Sequence, residues 1–326
     1  MFTKIYLLDN KLTNMFTNMS NIQEVIIKNR PKISQSSIRT YASILNNLYR
    51  KVSGDNSTKD SDPKWFVENQ SKIMEFLNGM TPKDRKLRLS ALVVLCDEDP
   101  KIANKYRSQM LDDIQKYNVE VREQKKTDKQ REAWISTEEI KTMLNNLKEQ
   151  SNYISKKSAG SLTKKDFETY QNYLILALYV LNPPRRLEYI DMKLHEQPPK
   201  GSDQPTGYNF IKNKKFYFTT YKTSSKYGEQ IVPINPKLYY IIRKWKQLNP
   251  DREWLLSTWE GKKLSASMLT QRLNKIFGKN ISVNMLRHIY ISENVLKDMP
   301  TLKELDETAR EMGHSVETAI TQYKKV

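Results

Sequence analysis

The first half of the chain carries apolar residues at helical spacing, starting just after a serine cluster at Ser34, Ser36 and Ser37. Apolar positions that recur every three or four residues predict an amphipathic helix, and serine is a favoured residue at a helix start. The first such stripe consists of Ile38, Tyr41, Leu45, Leu48 and Val52. Further helices are predicted over residues 64–77, 83–96 and 101–117. Together they predict a small helical domain over residues 34–118. The N-terminal segment before it, residues 1–33, shows no sustained periodicity of apolar residues.

A highly charged stretch with little apolar content follows, and we assign residues 119–133 as a basic linker. A second domain, residues 134–326, then begins with a capping box at Ser136 and Glu139 that predicts a helix start. A strongly apolar helix is predicted from about 165 to 181. The pair Pro183-Pro184 ends it, since proline lacks a backbone donor.

Three short segments of this second domain alternate in polarity as half-buried strands do: residues 208–211, 215–221 and 229–233. They predict a small antiparallel sheet. Helical spacing predicts the remaining elements, which are residues 185–192, 237–248, 265–277, 283–297, 302–312 and 316–323. The predicted fold class is therefore mainly α with a small antiparallel β-sheet, and the second domain is α+β.

The net charge of the chain limits the classes of partner that it can bind. The chain has 326 residues, with Lys+Arg 55 and Asp+Glu 37, so its net charge is +18. This excess predicts a polyanionic partner, with nucleic acid ahead of an acidic membrane surface. No apolar run approaches the roughly 20 residues that span a bilayer, so we expect no membrane partner and a soluble, intracellular protein.

Cysteine and histidine counts bound the chemistry further. Cys96 is the single cysteine, which excludes an internal disulfide, and the chain has only three histidines. An ordinary zinc site takes four ligands, mostly Cys and His, and would need every one of these widely separated residues, so we expect no metal and no cofactor.

The candidate chemistry is concentrated near the end of the sequence. Arg287 and His288 lie on one predicted helix, His314 follows Gly313, and Tyr323 comes nine residues later. A guanidinium group binds two phosphate oxygens at once, histidine adds a hydrogen bond, and tyrosine is a known covalent nucleophile. This set suits attack by a phenolic oxygen on a phosphate.

Two basic clusters are candidate DNA-binding sites, because lysine and arginine supply most contacts to backbone phosphates. The first lies on the predicted helix 83–96 and the second in the linker; a solvated helix face is the alternative for the first. Their residues are Lys83, Arg85, Lys86 and Arg88, then Lys125, Lys126, Lys129 and Arg131.

These residues, in this order, resemble the motifs of the tyrosine recombinases, or phage-type integrases, over about residues 34–323. The family's first arginine opens a helix just after a buried helix. Here that position is Arg185 or Arg186: Glu188, three residues on, favours Arg185, whereas the alignment of the turn favours Arg186. The family's lysine ends a strand before a β-turn, which matches Lys222.

The second family box is usually His-x-Leu-Arg-His. Here it reads Asn284-Met285-Leu286-Arg287-His288, so Arg287 matches and Asn284 replaces the first histidine. His314 matches the next family position and Tyr323 the nucleophile. His288 is expected to support the helix from behind the site.

The resemblance implies a helical, SAM-like core-binding domain and a mostly helical catalytic domain. It also implies strand exchange without metal or ATP, in which Tyr323 forms a 3′-phosphotyrosine. Arg287 with Arg185 or Arg186 would stabilise the phosphorane, Lys222 would protonate the leaving oxygen, and His314 would orient a phosphate oxygen.

The resemblance further implies a homo-oligomer, with a dimer on one site and a tetramer in synapsis. A viral or mobile-element recombinase would act in the host nucleus or travel in the virion; otherwise it would act in the cytoplasm or nucleoid. Two alternatives stay open at this point. One is a type IB topoisomerase-like enzyme, and the other is a DNA-binding protein that has lost cleavage, for which Asn284 is the first sign.

Overall fold

The structure, a computed structural model, describes residues 21–55, 61–194, 207–313 and 315–318. It is mainly helical with one three-stranded antiparallel sheet, which confirms the predicted mixture of elements. The described residues form two compact units. The first unit contains residues up to Lys125 together with those from Pro300 onward, and the second unit is Lys126–Met299. The boundary near residue 125 lies inside the predicted linker, but residues from 300 onward group with the first unit rather than the second.

The elements follow in chain order, with short connections between most of them. Within the described ranges, no helix combines the length and apolar character needed to cross a bilayer. The helices are α1 (Asn21–Asn29), α2 (Gln35–Ser53), α3 (Pro63–Glu68), α4 (Gln70–Asn78), α5 (Pro82–Leu95), α6 (Pro100–Arg122), α7 (Asp128–Ala133), α8 (Thr137–Asn152), α9 (Lys164–Val180), α10 (Ser224–Tyr227), α11 (Pro236–Leu248), α12 (Ala266–Phe277), α13 (Val283–Tyr290), α14 (Leu302–Glu311) and α15 (Val316–Thr318). The strands are β1 (Phe210–Lys212), β2 (Lys215–Phe218) and β3 (Gln230–Pro233).

Helix α1 belongs to the first unit, although no helix is predicted before residue 34. Its two buried residues, Ile22 and Ile26, are one helical turn apart and join the core beside α2 and α5. Asn29, at the end of α1, donates side-chain hydrogen bonds to the carbonyl oxygens of Val94 and Leu95. The prediction that residues 1–33 stand outside the helical domain is therefore wrong for residues 21–29.

A buried ion pair joins α5 to α6. Nε and Nη2 of Arg85 donate to the two carboxylate oxygens of Asp113 at 2.7 and 2.6 Å. The side chains of Arg85 and Asp113 are 9% and 0% exposed. A bidentate pair satisfies both charged groups, so each residue depends on the other for its burial.

Helix α14 is held in the first unit by contacts with the end of α6. The backbone N–H of Leu302 donates to the side chain of Gln124 at 2.8 Å, and Arg122 pairs with Asp306. Thr301 and Glu304 form a capping box at the start of α14, which satisfies donors that the first turn leaves unpaired.

Helix α9 is the central element of the second unit. Its residues Leu174–Tyr179 are all buried, and the helix packs against α8, α11 and α12. The sheet has the order β1-β2-β3, with Phe210 opposite Tyr217 and Phe216 opposite Val232. Phe216 and Phe218 face the core, as expected for alternate positions of a strand.

Four local predictions differ from the structure. The helix predicted over 185–192 is only a 3₁₀ turn, Glu188–Asp191, whose preceding residue Leu187 has no capping side chain. The helix predicted over 64–77 is α3 and α4, interrupted at Asn69. Much of the predicted linker is helical, because α6 continues to Arg122 and α7 fills residues 128–133. The helix predicted over 283–297 is α13 followed by a π-helical turn, Ile291–Val295.

Candidate functional site

Three arginines from separate parts of the second unit line one cavity of about 220 Å³. Arg185 and Arg186 follow α9 and its terminal prolines, while Arg287 lies on α13 about 100 residues later. The sequence predicts that Arg287 meets one of the other two, and the structure brings all three together. The remaining lining residues are Pro184, Glu188, Tyr221, Thr223, Tyr227 and Gln230. We call this cavity the arginine pocket.

Arg185 is held in place from several sides. Its Nη1 donates to Oε1 of Gln230 on β3 at 2.7 Å, and its Nη2 lies 3.9 Å from Oε1 of Glu188. The guanidinium carbon lies 4.3 Å from the ring centre of Phe218, and the side chain is 22% exposed. The buried Nε has no hydrogen-bond partner among the described residues. Arg185 is thus fixed by the fold and keeps one donor that no described residue uses.

Arg186 is more exposed than Arg185. Its backbone carbonyl accepts a hydrogen bond of 2.9 Å from the hydroxyl of Tyr179 at the end of α9. This bond fixes the backbone, whereas the guanidinium lines the arginine pocket from a solvent-facing position.

The pKa of Arg287 is lowered by its surroundings in the pocket. Burial lowers the pKa of its guanidinium, and the charges of Arg186 and Arg185 lower the pKa further, whereas Glu188 raises it. Arginine nevertheless stays protonated in proteins. Three guanidinium groups and one carboxylate leave 3 − 1 = +2 among the lining residues. A pocket with this balance attracts an anion, because fixed cations in a partly desolvated site interact strongly with a negative group.

Glu188 lines the arginine pocket, and its carboxylate lies next to the guanidinium group of Arg185. Glu188 is 6% exposed. Its backbone carbonyl accepts a hydrogen bond of 2.8 Å from the buried side chain of Asn209. Its Oε2 is buried without a hydrogen-bond partner in the described part of the chain. Glu188 is three residues after Arg185, and this spacing places its carboxylate beside the guanidinium group, in agreement with the sequence argument that favours Arg185.

Asn284 and His288 lie on the same helix as Arg287 but differ in their relation to the pocket. Nη1 of Arg287 lies 3.5 Å from Oδ1 of Asn284, the limit of a hydrogen bond. The side chains of Asn284 and His288 are both exposed. The expectation that His288 supports the helix from behind the site is wrong, because the buried side of α13 consists of Val283, Leu286 and Ile289.

Lys222 lies near the arginine pocket but does not line it. Strand β2 ends at Phe218, four residues before Lys222, so the prediction that this lysine ends a strand is wrong. Its neighbours Tyr221 and Thr223 line the pocket, whereas the Lys222 side chain is exposed. The connection to β3 contains α10, a helical turn, where the sequence predicts a simple turn.

His314 and Tyr323 lie outside the described residues. The structure therefore describes the arginines, Lys222, Asn284, His288 and Glu188 of the predicted site, and leaves the two C-terminal positions as predictions.

The first predicted DNA-binding cluster requires a correction. Arg85 is 8% exposed and is paired with Asp113 in the core, so it is removed from the set of phosphate contacts. Lys83 is exposed, the ammonium of Lys86 lies 3.5 Å from the ring centre of Tyr117, and Arg88 donates to a backbone carbonyl of its own helix.

All four residues of the second cluster are exposed. Lys125 lies 2.9 Å from Glu123 in the first unit, and Arg131 pairs with Asp128 in the second. The ammonium of Lys126 lies 3.6 Å from the ring centre of Trp134. Lys129 completes the set on α7. Exposed pairs of this kind contribute little to stability, so these cations remain available to phosphates.

Sequence reasoning missed Gln230, Tyr221 and Tyr227 as pocket residues. Gln230 carries no local signal, because its role depends on a contact with Arg185 across 45 positions. Tyr227 has a weak signal: it precedes Gly228, which has a φ of +65° that residues with a Cβ rarely adopt.

Comparisons of the chain with known protein families, with curated proteins and with solved structures find no match.

Proposed function

We propose that the chain is a tyrosine recombinase, which cleaves and rejoins double-stranded DNA through a 3′-phosphotyrosine without metal or ATP. The observation that carries the proposal is the convergence of Arg185, Arg186 and Arg287 on one small cationic pocket. These are the arginines that the family resemblance selects from the sequence. A basic chain with a net charge of +18 supplies the attraction to the DNA backbone.

The arginine pocket would receive the scissile phosphate. In the proposed reaction, charge develops on the phosphorane oxygens, and fixed guanidinium groups stabilise it more than they stabilise the ground state. Arg185 and Arg287 are the best candidates for direct contact, since Arg185 is already fixed by Gln230 and Glu188. Arg186, on the exposed side, would contact the same phosphate or its neighbour.

The other roles follow the resemblance. Tyr323 would attack the phosphorus and release a 5′-hydroxyl, and His314 would orient a phosphate oxygen. Lys222 would protonate the leaving oxygen, which requires its flexible side chain to turn toward the pocket when DNA is present. Because the phosphotyrosine bond conserves the energy of the cleaved phosphodiester, rejoining needs no nucleotide. Assembly as a dimer on one site and a tetramer in synapsis belongs to the same proposal.

A specific observation favours a second candidate, a DNA-binding protein without cleavage. Lys222 is exposed and does not line the pocket, and Asn284 replaces a histidine that the family uses in proton transfer. Such a protein would keep the phosphate-binding arginines and lose the acid–base groups.

A trapping experiment separates the two. The substrate is double-stranded DNA with a nick, on which cleavage leaves a covalent intermediate that cannot rejoin, and EDTA is present throughout. Wild type and Tyr323→Phe are compared on a denaturing gel. A slow protein–DNA band in wild type alone supports the recombinase, whereas retardation of the duplex by both proteins with no covalent band supports the second candidate. A joining assay with two sites, against relaxation of supercoils, then separates a recombinase from a topoisomerase-like enzyme.

A further inference from the structure

Two tyrosines line the arginine pocket, and the fold uses them differently. The hydroxyl of Tyr221 donates to the carbonyl oxygen of Gly228 at 2.7 Å, and its ring centre lies 5.4 Å from the guanidinium carbon of Arg185. The hydrogen bond of Tyr221 thus joins the two ends of the connection between β2 and β3, and its ring packs against Arg185. Its role is accounted for by the structure of the loop.

Tyr227 is the last residue of α10 and is 58% exposed, although it lines the same pocket. Two features fix the turn that carries it. The Tyr221 hydrogen bond joins the two ends of the loop, and the backbone N–H of Gly228 donates to the carbonyl oxygen of Ser224 at 2.8 Å. The loop therefore presents a largely exposed aromatic ring at a defined place beside three arginines.

A bare inorganic anion gains nothing from an aromatic face. A phosphate in a nucleic acid is different, because a sugar and a base accompany it, and every base has a face that stacks on an aromatic side chain. The ammonium of Lys226 lies 5.1 Å from the ring centre of Tyr227. A nucleotide stacked on this ring would therefore have a cation close to its neighbouring phosphate.

We infer that Tyr227 is a nucleotide-contacting residue, whose ring stacks on an unpaired or terminal nucleotide next to the phosphate held in the arginine pocket. This inference rests on the proposed function and adds to it. The pocket holds the phosphate of either strand form, and Tyr227 adds a contact to an unpaired or terminal nucleotide beside it, such as the one that cleavage of a strand exposes.

The chain offers a matched control for this role. Tyr240 on α11 is 59% exposed, lies in the same unit and does not line the arginine pocket. Both rings are exposed, so we expect replacement of either by alanine to leave the unfolding transition unchanged.

The experiment measures affinity for a duplex with a central one-nucleotide gap and for the same intact duplex, at one fixed salt concentration. The proteins are wild type, Tyr227→Ala, Tyr227→Phe, Tyr240→Ala and Arg287→Ala. Tyr227→Ala is expected to lose about tenfold in affinity for the gapped duplex and little for the intact one. Tyr227→Phe and Tyr240→Ala are expected to match wild type, and Arg287→Ala to weaken binding to both duplexes.

Equal affinity of Tyr227→Ala and wild type for the gapped duplex, with Arg287→Ala weakened, would overturn the inference and leave the proposed function standing. Loss in Tyr227→Phe as well as Tyr227→Ala would also overturn it, because the hydroxyl rather than the ring would then make the contact. If Arg287→Ala binds both duplexes as wild type does, the pocket does not hold a phosphate, and the proposed function fails together with the inference.

Discussion

Gln230 on β3 accepts a hydrogen bond from Nη1 of Arg185 at 2.7 Å. This contact connects the sheet to the segment that follows the central helix, and together with Glu188 and Phe218 it holds the guanidinium group in place. Because the acceptor is a neutral amide, it adds no negative charge to that of Glu188, which already lies beside Arg185. A carboxylate at position 230 would fix the arginine equally well but would neutralise it.

Gln230→Ala is therefore expected to weaken cleavage about tenfold, since a hydrogen bond to a charged group is worth about 1.5–3 kcal/mol. Gln230→Glu should keep the arginine in place and still lose activity, because the new charge competes with the phosphate. Single-turnover cleavage of nicked DNA measures both effects. Gln247→Ala, an exposed change on α11, is the control. Full activity in both Gln230 variants would show that Arg185 needs no such support.

Arg287→Ala is expected to reduce the cleavage rate by a factor of roughly 10²–10³, the usual effect of removing one group that stabilises developing charge. The matched variant is Arg243→Ala, an exposed arginine on α11 outside the pocket. It removes the same charge from the same unit and should leave the rate within about twofold. A similar loss in both variants would mean that net charge, rather than the pocket, accounts for the effect.

Asp166 gives the second unit a stability that depends on pH. The Lys157 ammonium, with hydrogen bonds from Tyr153 and Thr163, holds the pKa of the Asp166 carboxyl well below its usual range. In the unfolded chain the pKa of this group is about 3.9. Its stabilisation is therefore complete above that pKa and is lost as the pH falls toward the lower pKa of the folded state, because the unfolded chain takes up the proton first.

Urea unfolding of wild type and Asp166→Asn at several pH values tests this. The variant should be less stable at pH 7, and the difference between the two proteins should shrink below about pH 4. Asp251→Asn, an exposed change, is the control and should follow wild type at every pH. A difference that stays constant with pH would contradict the assignment.

Arg85→Ala is expected to lower the free energy of unfolding by about 3–5 kcal/mol, because it leaves Asp113 charged and unpaired in the core. The double variant Arg85→Met/Asp113→Leu should recover most of this loss, since neither charge then needs a partner. Lys83→Ala, on the same helix but exposed, should change stability by less than about 0.5 kcal/mol. A small effect for Arg85→Ala would mean that this arginine faces solvent, as the sequence cluster predicts.

The burial of Arg85 could have been read from the sequence. Arg85 lies four residues before Leu89 and seven before Leu92, both fully buried, so it continues their apolar stripe. Asp113 lies seven residues after Tyr106 on α6, also on a buried stripe. A charged residue on each of two adjacent stripes predicts a buried pair, whereas a count of positive charges predicts a DNA-binding face.

Other features depend on contacts that local patterns do not encode. The periodicity predicts most helices and the three strands, because burial of one face determines it. It misses the π-helical turn after α13, where Glu293 accepts hydrogen bonds from Trp134 and Thr137, more than 150 residues earlier. The arginine pocket was predicted in part, since the family motifs name its arginines, but Gln230 and Tyr227 join it only through the tertiary structure.

The most direct test of the central claim is the identity of the amino acid that carries the DNA. The covalent complex formed on nicked DNA in EDTA is digested with nuclease and protease, and the nucleotide-bearing peptide is identified by mass spectrometry. The account predicts a nucleotide esterified to Tyr323, with no adduct from Tyr323→Phe and a normal adduct from Tyr227→Phe. An adduct on Tyr227, or none at all from a wild-type protein that still binds the nicked duplex, would contradict it.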